Sequence, residues 1–115
     1  MNARQMQQLR TLLEVRQHDL RLSIEHHQRY ARVVEREPDT LDQAASGYEK
    51  ESLLQRSSHE QQLLRAIDSA LGRIRDGTYG TYGKCVSCGK QIDGRRLAAV
   101  PWTPYCIPCE EDFER

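Results

Sequence analysis

The sequence predicts a mainly α-helical protein: a long antiparallel helical hairpin, of coiled-coil type, carrying a small C-terminal four-cysteine head. Three observations carry this expectation. Apolar residues recur at alternating intervals near three and four over two long stretches, those stretches are separated at Pro38, and all four cysteines fall in the last 31 residues of a 115-residue chain. Composition agrees. With 37% hydrophobic residues, one Phe, one Trp and 30% charged residues, the apolar material is too scarce for a large single core, so a compact globule of this length is not expected.

In the first stretch Leu9, Leu13, Leu20, Ile24, Ala31 and Val34 follow a roughly heptad period, and no Gly or Pro interrupts residues 1 to 37. Pro38 disfavours helix in the residue before it, while Asp39 or Thr40 can cap a new helix. A helix-to-helix turn is placed there. The second stretch runs from Leu41 to about Asp76, with Leu53, Leu64, Ile67, Leu71 and Ile74 on one stripe and Gly77 as its stop. Gly47 and Gly72 each weaken it by roughly 1 kcal/mol against Ala.

Two such helices joined by a short turn fold back on each other, which brings Leu9 and Leu13 toward Ile67, Leu71 and Ile74. Nearer the turn the stripe positions are Ser46, Lys50, Ser57 and Glu60, so the distal arm is expected to bury little. Helices of this length would each reach about 54 Å at 1.5 Å per residue. The predicted division is an arm over residues 1–76, with its tip near 37–44, and a joint plus head over 77–115.

The glycine-rich run Gly77-Thr78-Tyr79-Gly80-Thr81-Tyr82-Gly83 suits a joint, with Tyr79 and Tyr82 packing there. The head has strand-compatible pieces, turn signals at Gly89 and Asp93-Gly94, and prolines on either side of Trp102. Its final acidic segment, with Pro108 in the first turn, suits a short helix.

Cys85-Val86-Ser87-Cys88 and Cys106-Ile107-Pro108-Cys109 are separated by seventeen residues, the two-plus-two spacing of a tetrahedral zinc site. Cys85, Cys88, Cys106 and Cys109 would close a four-coordinate shell around one Zn²⁺, leaving no open position. Such an ion is structural. The alternatives are two disulfides, four free thiols or a redox dithiol at either C-x-x-C; a chain without a secretory signal argues against disulfides, and the paired arrangement is poor for a redox dithiol. Lys84, Lys90, Arg95 and Arg96 are placed to moderate the negative thiolate site. The metal is expected to fold the head, whose apolar content is too small to do so.

Seventeen Lys plus Arg balance seventeen Asp plus Glu, and the head carries five bases against five acids. A protein held on DNA by phosphate contacts carries a basic excess, so nucleic acid trails protein as the expected partner. No apolar run approaches 18 residues and no signal-peptide core is present, so a cytoplasmic protein without membrane spans is expected. Neither a nucleophile with its base nor an open metal position is visible, so no enzyme is expected. Asp39 and Asp42, three residues apart where the hairpin reverses, have two readings: caps for the second helix, or functional carboxylates at its tip.

The D-x-x-D-x-A turn formed by Asp39, Asp42 and Ala44 precedes a finger containing C-x-x-C-G, Gly94-Arg95-Arg96-Leu97-Ala98, a proline and a second C-x-x-C. Residues 38–115 thereby resemble the DksA/TraR family of bacterial transcription regulators. The resemblance implies a coiled-coil arm entering the secondary channel of RNA polymerase, with Asp39, Asp42 and Ala44 on the functional tip. It also implies zinc on the four cysteines and no base-specific DNA contact.

Several features depart from the family pattern. The longest members have an extra N-terminal segment, for which the first helix leaves no room. Members that respond to guanosine tetraphosphate use basic residues where this chain has Ala66, Val100 and Glu110, so weak or absent binding of that nucleotide is expected. The stretch from Gly80 to Lys84 is also a few residues longer. Outside the resemblance, a zinc-ribbon nucleic-acid binder and a structural adaptor pairing through its coil are the competing readings. His18, His26, His27 and His59 read as solvated or seam residues, and Trp102 as packing over the finger or the arm's base.

Overall fold

The computed structural model describes residues 2–36, 43–75 and 82–115, with the side-chain surroundings of 33–50 and Leu53 excepted. Four helices follow in order: α1 (Ala3–Arg36), α2 (Gln43–Arg75), α3 (Gly94–Ala99) and α4 (Ile107–Glu114). Among the described residues no helix is long and apolar enough to cross a membrane. The long helices end close to their expected bounds. Asp39 and Asp42 lie outside the described residues, as does Tyr79.

At the start of α1, Asn2 and Gln5 cap reciprocally. The Asn2 Oδ1 accepts from the Gln5 N–H at 2.8 Å, and the Gln5 Oε1 accepts from the Asn2 N–H at 3.1 Å. Two otherwise orphaned helix-end donors are thus satisfied by a capping box built from amides. Surface ion pairs at i, i+4 join Arg10 to Glu14 and Glu25 to Arg29.

The chain separates into two compact units, Met1–Gln17 with Arg65–Arg115, and His18–Leu64. In the first, Leu13, Ile67 and Ala70 are fully buried and Ile74 nearly so. Leu9 and Leu71 are only half-buried, so the buried line on α2 runs through Ile67, Ala70 and Ile74. The small Ala70 side chain permits close approach of a neighbouring helix, a role that a search for large apolar residues passes over. The Gln17 amide donates to the Asp68 carboxylate across the two helices.

In the second unit Leu20, Ile24 and Ser57 are buried. His27 is half-buried, its Nδ1 standing 2.9 Å from Glu60 Oε1. The contact is close but lacks the geometry of a directed hydrogen bond from the ring nitrogen. His27 is therefore a seam residue, whereas His18, His26 and His59 are exposed. On α1 positions 13, 17, 20, 24, 27 and 31 are covered in a four-three alternation, with Ser23 half-buried beside that line. Apolar residues fill four of them and polar partners are matched at Gln17 and His27, a device that fixes register in coiled coils at some cost in stability.

Gly72 lies inside α2 with an ordinary helical backbone, and a Cβ there would meet no atom within 4 Å. Gly72→Ala should therefore stabilise the protein by roughly 0.5–1 kcal/mol through helix propensity. Urea denaturation of the two proteins measures this, with unchanged or lowered stability counting against the assignment.

The head departs from expectation in two respects. Its strand-compatible pieces form only a single antiparallel bridge, Lys84 with Gln91, and the Asp93-Gly94 signal opens a helix rather than a turn. Asp93 Oδ1 accepts from the Arg95 N–H at 2.9 Å as the cap of α3, and Leu97 buries that helix's one core side chain at 2% exposure. A six-residue helix with two arginines has too short a pattern to be read from periodicity.

Candidate metal centre

Each cysteine pair is held by a tight backbone loop. Following Cys85, the Gly89 N–H returns to the Cys85 carbonyl at 2.9 Å, and Gly89 takes φ 77°, a left-handed conformation that favours glycine. Gly83, at φ 83°, makes the corresponding entry turn, and the Ile92 N–H closes on its carbonyl at 2.8 Å. The Cys85 N–H bonds the Lys90 carbonyl, also at 2.8 Å, so the first loop is pinned at both ends. The second pair straddles the start of α4: Cys106 is the N-cap, Pro108 occupies the first turn, and Cys109 follows one residue on. A 2.8 Å bond from the Val86 N–H to the Pro104 carbonyl ties the two loops together.

The four Sγ atoms lie within 4.8 Å of one another, and those of Cys88 and Cys106 are 3.7 Å apart. A tetrahedral Zn–S shell with bonds near 2.3 Å requires S···S edges of about 3.8 Å. All four cysteines are free thiols. The donor set therefore fits zinc with no fourth-ligand vacancy for water or substrate, the closed arrangement of a structural ion. Cys85 is buried, Cys106 and Cys109 are partly covered, and Cys88 faces solvent.

Burial opposes ionisation of Cys85, but hydrogen bonds from the backbone of Cys106, Cys88 and Ser87 outweigh it and hold the thiol down at about 6. Cys109 is pushed up to about 12, chiefly by hydrogen bonds with the side chains of Cys106 and Cys85 and then by burial. Four thiolates around Zn²⁺ leave the site with two negative charges. Lys84, Lys90 and Arg95 stand exposed in the same head, while Arg96 is half-buried.

Tyr82 anchors the head. It is 3% exposed and its hydroxyl donates to the Pro101 carbonyl at 3.0 Å. Burial pushes the phenol up to about 12, and the nearby Arg73 charge pulls the other way. The folded protein therefore holds this proton more tightly than an unfolded chain, whose phenol titrates near 10. The stability involved is complete below pH 10 and is lost as pH rises toward 12. Tyr82→Phe should cost about 1 kcal/mol at neutral pH and flatten that alkaline decline. Thermal melts of both proteins across this range, with ultraviolet titration of phenolate, check the sign; an equal alkaline decline in the two would refute it.

Of the tip residues singled out by sequence, Ala44 lies in the first turn of α2, and Asp39 and Asp42 lie outside the described residues. The reciprocal Asn2–Gln5 cap, the Asp93 cap and the Tyr82 anchor were the local devices that sequence reasoning missed or left undefined.

Residues 77–115 match the prokaryotic dksA/traR C4-type zinc finger. The RNA polymerase-binding transcription factor DksA of Escherichia coli K12 is 32% identical over 114 residues, covering 96% of this chain and 72% of that protein. An uncharacterized protein of Aquifex aeolicus is 47% identical over 68 residues, 59% of this chain but 45% of its own length, so the match spans less than half of that relative. Among solved structures, transcription factor DksA2 from Pseudomonas aeruginosa superposes with a TM-score of 0.86 at 32% identity, covering 99% of this chain and 86% of that one. Sequence similarity running nearly end to end, the same fold and a matching finger make this chain a member of the DksA/TraR family of four-cysteine zinc-finger proteins.

Proposed function

We propose that the protein is a cytoplasmic transcription factor that binds RNA polymerase directly and performs no chemistry itself. The observation that carries this is similarity across 96% of the chain to a relative named for binding RNA polymerase. In this reading the hairpin enters the polymerase's secondary channel and presents Asp39, Asp42 and Ala44 near the enzyme's catalytic centre, where short carboxylates engage basic groups or perturb metal-bound elements. Initiation is modulated through the stability of promoter complexes, without base-specific DNA contact. Cys85, Cys88, Cys106 and Cys109 are the zinc ligands, and the ion holds the head's fold rather than acting on substrate. Val100, Glu110 and Ala66 supply no cation for guanosine tetraphosphate, so its binding is weak or absent.

Purified protein should co-migrate with core RNA polymerase and change the yield of transcripts in vitro. The double variant Asp39→Asn, Asp42→Asn should retain most binding and lose the effect on transcription. Full regulatory activity in that variant would remove the carboxylates from the mechanism; failure to co-migrate would remove the polymerase itself.

A further inference from the structure

Within the unit formed by Met1–Gln17 and Arg65–Arg115, a groove of about 540 Å³ runs between the start of α1 and the head. Met6, Leu9 and Leu12 form one wall, and Ile92 and Leu97 belong to the other. Leu12 remains 48% exposed, so this wall is not covered by the chain itself. Among the described residues Lys84 is the one charged side chain lining the groove; three glutamines supply the other long polar side chains, and no described carboxylate lines it. The occupant that fits is an apolar side chain flanked by acids.

The same chain displays such a segment elsewhere. On α4, Phe113 is 60% exposed, touching Tyr105 with ring centroids 4.8 Å apart. Around it stand Glu110, Glu111, Asp112 and Glu114. No α4 residue lines the groove, so a chain does not fill its own. We propose that the groove receives the α4 helix of a second copy, seating Phe113 against Met6, Leu9 and Leu12 and placing its carboxylates beside Lys84. The proposed exchange is reciprocal, each copy's α4 in the other's groove, which makes a two-fold dimer. The contact is small and partly ionic, which makes the dimer weak and sensitive to salt.

Sedimentation velocity on the zinc-loaded full chain, from micromolar to several hundred micromolar, should show a monomer–dimer equilibrium that shifts toward monomer as salt rises. Lys84→Glu and the pair Glu111→Lys, Glu114→Lys should each weaken self-association tenfold or more. Mixed in equal amounts, the two variants should associate with each other more tightly than either does alone, because both exchanged contacts then regain opposite charges. Zinc content verifies that each variant is folded. A readout free of mutation is the dilution series by amide NMR: shifts should concentrate at Met6–Leu12, Ile92–Ala98 and α4. A monomer at every concentration overturns the proposal, as does a dimer that ignores the charge changes or shifts that fall elsewhere.

Discussion

Stripping the zinc should unfold the C-terminal head and leave α1 and α2 helical. The described apolar core of the head comes down to Tyr82, Cys85, Ile92 and Leu97, and α4 contributes no buried residue. Side chains so few cannot repay the conformational entropy of ordering some thirty residues. Binding of zinc to such sites is worth about 10–16 kcal/mol at neutral pH, as much as the whole net stability of an ordinary domain. Chelation should abolish the near-ultraviolet signal of Tyr82 and shift the emission of Trp102, the chain's single tryptophan, toward that of an exposed indole. Far-ultraviolet signal should fall only by the share of α3, six residues, and α4, eight. Cys109→Ser should reproduce the loss at lowered zinc occupancy. Unchanged Trp102 emission after verified metal removal would show that the head folds without the ion.

That dependence was legible because it rests on spacing. Two C-x-x-C loops specify a donor set whatever happens between them, and the sulfurs do converge. The helical hairpin was legible for the same reason: the heptad alternation of α1 survives from Leu13 to Ala31 and only a helix keeps those residues on one side. What periodicity did not supply was the identity of the partners inside it. Ala70 is fully buried yet weakly apolar, and Gln17 and His27 occupy seam positions through matched polar groups on α2. Helix α3 escaped because its cap and its single buried leucine carry no period at all.

The tip carries a different lesson. Asp39 and Asp42 satisfy helix-start chemistry as well as they satisfy a role in a partner's active centre, so the residue types alone leave two readings open. The zinc centre is self-contained, its ligands brought together by one chain. Under the proposed function the tip's chemistry would be completed by the polymerase, so its signal would not lie in this chain alone. Removing both charges while keeping their shape, as in the paired Asn variant, is what separates capping from function.

Leu13→Ala and Ile67→Ala should each cost about 2–5 kcal/mol, the largest losses expected of single substitutions in the helices. Both side chains are fully buried. Deleting either removes transfer free energy and leaves a void that a close-packed helical interface only partly closes. Leu54→Ala offers the contrast on the same chain: its side chain is 53% exposed, and the change should fall within about 0.5 kcal/mol. Ala70→Leu tests the opposite error. If Ala70 marks a close approach, the added methyl groups force strained rotamers or separate the backbones, at about 1–3 kcal/mol, although leucine is nearly as good a helix former. If the register follows the Gln17–Asp68 bond, one turn further along each antiparallel helix would bring Leu13 level with Gly72, between Ala70 and Ile74. Leu13→Ala should therefore relieve part of the Ala70→Leu strain, and the double variant should lose less stability than the two single losses added together. Urea unfolding of the four zinc-loaded proteins decides this. Strictly additive losses would place Leu13 and Ala70 in separate pockets and shift the register of the hairpin's base.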